Sequence, residues 1–184
     1  IRALNEIINS TNADIFILPG GHFSAGKKRA STLYKSLASK VHAPNSIVCV
    51  GVDGYNQKPW PRDQTAIAIS NSKIIAAARK FYSAPTEKNI ILSQFGDDEK
   101  DLPRTFQYGD KNYFLAVCYD SFGIRHNDIK NPGVDAVINH IHGFFPAGQP
   151  NSGESYFARH GLAGASKQWS VPLFASAAFF NRPI

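Results

Sequence analysis

Apolar residues come along this chain in short bursts, and their spacing switches between helical and strand-like intervals. Ile1, Leu4, Ile7 and Ile8 fall at helical spacing, so the chain opens inside a helix that Asn12 and Ala13 close. Asp14–Leu18 reads as a buried strand ended by Pro19-Gly20-Gly21. Ala30, Leu33, Leu37, Ala38 and Val41 then form an apolar stripe of helical period. Ile47–Val52 is a second buried strand, and Asp53-Gly54 behind it marks a turn. Residues 55–64 read as a loop, because Pro59 and Pro61 interrupt regular backbone. Thr65–Ser70 and Lys73–Arg79, joined at Asn71-Ser72, predict a hairpin.

The second half continues in the same manner. Residues 81–112 have little periodicity and much charge and proline, which predicts a long excursion with one or two short strands. Tyr113–Val117 is a run of β-formers that ends at Cys118 and is followed by Tyr119, Asp120 and a turn. Val134–Ile141 predicts another strand, 145–153 a loop, Ser155–Ser170 a helix weakened by Gly161 and Gly164, and Val171–Phe180 a last buried strand. Strands alternating with helices and hairpins predict an α/β fold with a mixed sheet. The continuous apolar character of most strands predicts that both sheet faces are covered.

Composition narrows the picture. A chain of 184 residues suits one domain with a substantial core, and 43% hydrophobic against 18% charged residues excludes a disordered chain. The net charge is +6, from 20 basic and 14 acidic residues, and Lys27, Lys28, Arg29, Lys35 and Lys40 fall together with no acid among them. An anion-binding face is one reading. The apolar stripe through the same segment favours the other, the polar back of an amphipathic helix, so nucleic acid is not the expected partner. The late apolar run is ten residues long and broken by Pro172 and Ser176, too short for a bilayer, and no leader is visible. No membrane partner is expected. Cys49 and Cys118 sit in apolar runs and make no disulfide framework, so a reducing, cytoplasmic location is expected. The chain has no methionine, not even a first one, so it is expected to be incomplete at one or both ends.

Cys118 leaves two readings open. A thiol where a buried strand runs into a turn is well placed as a nucleophile, since backbone N–H groups leaving the sheet can face a ligand. A free cysteine is equally a small apolar core side chain. A separate pattern, Gly21 to Lys28 (GHFSAGKK), nearly spells a phosphate-binding loop between a strand and a helix. Its last position is Lys28, where the Mg²⁺-binding Ser or Thr should stand.

Taken together and in order, several pieces resemble the nitrilase, or carbon–nitrogen hydrolase, superfamily over almost the whole chain. They are DIFILP after the first helix, IVCVGVDGYN, TAIAISNSKIIAAARKFY, AVCYDSFG, GVDAVINH and FASAAFFNRP. The resemblance implies an α-β-β-α sandwich with mixed sheets, one domain over residues 1–184, and pairing into homodimers or higher oligomers. It implies no cofactor or metal, and a small-molecule amide or nitrile as the substrate. Residue by residue, Cys118 matches the nucleophile, Lys80 the lysine, and Glu87, loosely, an assisting carboxylate. The backbone N–H of Tyr119 is a candidate oxyanion donor.

The family's first glutamate should follow the proline that ends the first strand, and this chain has Gly20 there. Thiolate formation is helped by a neighbouring ammonium, but proton transfer to the leaving amine needs a further group. Gly20 supplies none. Impaired turnover, or an inactive binding or assembly module, is therefore the expectation, unless His22 reaches the vacated space by alternating to the same side as position 20. Gly20, His140 and His142 are further candidates for lining a substrate site.

Overall fold

The computed structural model describes residues 1–56, 61–93, 102–144 and 153–179. Its strands form two sheets. The first holds β1 (Ile15–Ile17), β3 (Ile47–Tyr55), β4 (Arg62–Ser70) and β5 (Lys73–Arg79) in that order, with β2 (Phe23–Ser24) also paired to β3. The second runs β6 (Thr105–Tyr108), β7 (Lys111–Val117), β8 (Ala136–Phe144), β9 (Leu173–Phe179). Both sheets are mixed. β1 and β2 lie parallel to β3, whereas β3, β4 and β5 are antiparallel. β6 is antiparallel to β7, and β7, β8 and β9 are parallel.

Side-chain alternation along each strand sorts the apolar residues into layers. Val48, Val50, Val52, Ile67 and Ile69 face outward from the first sheet, against α1 (Arg2–Ser10) and α2 (Tyr34–Lys40), which bury Ile8, Tyr34, Leu37 and Ala38 on them. Their neighbours Ile47, Cys49, Ala66, Ala68, Ala76 and Ala78 face the other way and meet Phe106, Leu115, Val117 and Ile138 of the second sheet. The outer face of the second sheet, with Phe114, Ala116 and Val137, is covered by α3 (Asp120–Arg125) and by the helix that ends in Ala165 and Trp169. The layers are therefore α-β-β-α, the arrangement the resemblance implies.

The elements depart from the sequence expectation in ways that matter for the site. Asp53-Gly54 is not a turn, because β3 runs through both residues to Tyr55 and pairs with Arg62–Gln64, which lie in β4 rather than in a loop. Gly21–Lys28 is not a phosphate loop. Phe23 and Ser24 are spent on β2, and the first helical turn starts later, at Ala30. The Ala30 N–H, which an incoming anion would need, already donates to Asp63 Oδ2 at 3.0 Å. Lys27, Lys28 and Arg29 precede the helix instead of lying on its back.

The late helix forms as α4 (Glu154–Tyr156), a wide π turn over Phe157–Leu162, and α5 (Ala163–Trp169). Gly161 there leaves room for Phe122 and Ser121 of α3. The turn expected after Cys118 is the short helix α3. Parts of three expected loops, at residues 57–60, 94–101 and 145–152, lie outside the described residues, as does the end of the last strand from Phe180.

One close approach fixes how the first sheet meets the turn after β1. Gly51 in β3 packs directly under Gly20 Cα and the Pro19 carbonyl, so a side chain there would strike backbone. Gly51→Ala is expected to cost about 1–3 kcal/mol through overpacking, read as a lowered denaturation midpoint. An unchanged midpoint would mean that the Pro19-Gly20 turn moves aside freely.

Candidate active site

The same two-residue alternation that builds the inter-sheet core also places polar side chains at one end of it. On β3 the inward series Ile47, Cys49, Gly51 continues to Asp53. On β4 the inward alanines 66 and 68 share their face with Gln64, and on β5 Ala76 and Ala78 lead to Lys80 just past the strand end. On β8 Ile138 leads to His140 and His142. β7 brings Val117 to the same end, and Cys118 follows it.

Cys118 caps β7 in a left-handed conformation, φ 53°, which a non-glycine residue adopts only under constraint. The constraint is visible. The Cys118 N–H donates to the His140 carbonyl at 3.0 Å, and the Cys118 carbonyl accepts from Asn139 Nδ2 at 2.9 Å and from the Ser121 hydroxyl at 3.3 Å. Below the turn, buried Asp120 accepts from Val117 N at 3.0 Å, Phe81 N at 2.7 Å, Tyr82 N at 2.8 Å and Arg104 Nη1 at 3.0 Å. Phe81 and Tyr82 directly follow Lys80, so one carboxylate ties the lysine's segment to the cysteine's turn.

Lys80 is wholly buried. Its ammonium donates to Gln64 Oε1 at 3.0 Å and to Glu87 Oε1 at 2.6 Å, and lies 6.0 Å from the centre of the Tyr119 ring. The other Glu87 oxygen accepts the Ala84 N–H at 2.7 Å. The structure thus brings Lys80 and Glu87 together as a fixed ion pair. No acceptor among the described residues takes the Tyr119 backbone N–H.

The space beside Gly20 is filled, and not by His22. His22 is exposed on its loop and packs edge-on against Phe23, with ring centroids 4.8 Å apart. It is His142 that stands over Gly20. A Cβ added to Gly20 would lie 2.8 Å from His142 Nδ1 and 2.9 Å from both the His142 nitrogen and the His140 carbonyl oxygen. Gly20 is itself buried, with its N–H donated to the Ile141 carbonyl at 3.0 Å. His140 is fully buried too, with Nδ1 2.7 Å from the Leu18 carbonyl, and burial lowers its pKa to about 4.

His142 is engaged on two sides rather than open to a ligand. Its Nε2 is 2.8 Å from Asp53 Oδ1, and its ring is near enough to Cys118 to help hold the thiol below its ordinary value. Nδ1 is buried and has no hydrogen-bond partner among the described residues, so it is the ring atom free to exchange a proton. Burial disfavours the imidazolium, but Asp53 and Cys118 together outweigh it and raise the pKa to about 9. Burial would likewise push the Cys118 thiol up. His142 and the Lys80 charge reverse that, and the thiol sits below its ordinary value. Asp53 is the residue of this cluster that sequence reasoning misses, since an Asp-Gly pair reads as a turn. The inward alternation from Ile47 was the signal that placed it.

A scan of protein-family models finds no match, and no curated protein is similar in sequence. Solved structures are similar in fold. A carbon–nitrogen hydrolase from Helicobacter pylori superposes with a TM-score of 0.65 at 11% identity, over 96% of this chain and 65% of that one. Nit3 of Saccharomyces cerevisiae, a nitrilase superfamily member, gives 0.54 at 15% identity, over 94% of this chain and 65% of its own. A glutamine-dependent NAD(+) synthetase from Cytophaga hutchinsonii gives 0.62 at 13% identity, over 98% of this chain. This chain spans 32% of the length of that synthetase and 65% of each of the other two. Its two mixed sheets between helical layers are the fold of the carbon–nitrogen hydrolase, or nitrilase, superfamily.

Proposed function

We propose that this protein hydrolyses a non-peptide C–N bond, an amide or a nitrile of a small molecule, through the thiolate of Cys118. The observation that carries the reading is the setting of Cys118. It sits at a constrained strand end beside the buried Lys80–Glu87 pair, with its thiol shifted toward the anion. In an amide reaction the thiolate adds to the carbonyl carbon, and the oxyanion that forms is met by the Lys80 ammonium and the Tyr119 N–H. Collapse expels the amine and leaves a thioester on Cys118, which water then cleaves to the acid. The reading takes residues 1–184 as one carbon–nitrogen hydrolase-like domain, acting in a reducing compartment as a homodimer or higher oligomer.

Ammonia release from a panel of simple amides and nitriles, wild type beside Cys118→Ala, tests it. Release by the wild type alone is expected. Equal background rates would end the enzyme claim and leave a nitrilase-like binding or assembly module.

A further inference from the structure

The hydrolase reading needs a group that takes the thiol proton, hands it to the departing amine and later activates water, and position 20 offers none. We propose that Asp53, His142 and Cys118 form an acid–base relay that does this work, with His142 as the catalytic acid–base and Asp53 as the residue that positions it.

The arrangement is that of a base held by an orienting carboxylate, beside a nucleophile on the neighbouring strand, whose N–H bonds the His140 carbonyl two residues from the base. Asp53 Oδ1 accepts from His142 Nε2 at 2.8 Å, which fixes the ring and leaves the buried Nδ1 unpartnered and free to exchange a proton. Asp53 is itself held, with Arg62 Nη2 3.8 Å from its other oxygen. His142 also occupies the volume a side chain at position 20 would need. A carboxylate there would collide with the backbone of β8 as well as with the ring. Gly20 and His142 are therefore two halves of one exchange, a side chain removed from one strand end and a base supplied by another. Two further features agree with it. The shifts of His142 upward and of Cys118 downward both put the shared proton on the imidazole.

The steps balance. At the start His142 already holds the proton of Cys118, and the thiolate forms the C–S bond. The imidazolium protonates the amine nitrogen as the C–N bond breaks. Neutral His142 then takes a proton from water as its oxygen attacks the thioester, and the C–S bond breaks to return the thiolate. The charged and titratable groups around the relay are Asp53 on β3, Arg62 on β4, Lys80 after β5 with Glu87, Tyr119 after the nucleophile, and His140 on β8.

The relay rests on the hydrolase reading for its purpose but can be tested without turnover. Alkylation of Cys118 by iodoacetamide would be followed from pH 5 to 10 by peptide mapping. Cys49, wholly buried with its thiol pushed far up, serves as the silent internal control. In the wild type the rate is expected to rise through an inflection below the ordinary thiol value of about 8.5. His142→Gln should move that inflection up by at least about one unit, roughly a tenfold loss of rate near pH 6. Asp53→Asn should move it in the same direction by less, and Asp53→Glu should restore part of the shift.

Circular dichroism and a melting curve would establish that each variant folds. If His142→Gln does not fold, Asp53→Asn decides. An unmoved inflection in a folded variant overturns the relay even where amide turnover is found. A moved inflection supports it even where the amide panel is silent and the hydrolase reading fails.

Discussion

Asp120→Ala is expected to be the most damaging single change outside the sulfur itself, costing about 3–5 kcal/mol of folding stability, because it strips a buried charge from a fixed partner. Asp120 and Arg104 are both buried and 3.0 Å apart, and the carboxylate also holds three backbone N–H groups from two segments. Removing it leaves the guanidinium and those donors without water to turn to. The effect should also reach the site. Two of the donors belong to Phe81 and Tyr82, directly behind Lys80, and the third to Val117, directly before Cys118. Urea unfolding of the variant would measure the loss. A change under about 1 kcal/mol would show the clamp to be no stronger than an exposed ion pair.

Lys80→Gln is expected to lower kcat by about 10²–10³, the usual result of deleting one oxyanion donor, while KM changes little. The same substitution should slow alkylation of Cys118 at neutral pH. The sign follows from the charge: the Lys80 ammonium lowers the Cys118 pKa, so removing it raises the pKa and leaves less thiolate. Glutamine keeps a donor toward Gln64 and Glu87, which limits the structural damage from leaving Glu87 half-buried without its cation. Alkylation at the wild-type rate would mean that His142 alone sets the thiol. A loss confined to KM would move Lys80 from oxyanion support to ground-state binding.

The layers were legible because they rest on period-two patterns, and TAIAISNSKIIAAARK states its inward and outward faces residue by residue. The strand-to-turn position of Cys118 was legible in the same way, whereas Lys80 and Glu87 came only from the family resemblance. What the sequence hid was every decision made by contacts between distant segments. Asp53-Gly54 has turn chemistry, yet eight consecutive register pairs from Val48 to Tyr55 hold β3 straight against β4. His140 and His142 look equivalent at i and i+2. Only the depth of the sheet separates them, with His140 sealed against the Leu18 carbonyl and His142 at the rim. His22 is near Gly20 in sequence but turns out to solvent, because Phe23 and Ser24 pair with β3 beyond it.

Moving the acid–base group from the turn after β1 to β8 also changes which parts of the molecule must stay in step. Cys118 and His142 now ride on adjacent, hydrogen-bonded strands of a single sheet, whereas Asp53 lies on the opposite one and Lys80 just past its last strand. A small slide of one layer over the other would loosen the amine and the aspartate while sulfur and imidazole travelled together. The nucleophile would thus outlast its own oxyanion support, and a loosened protein would still be open to alkylation after it had ceased to turn over.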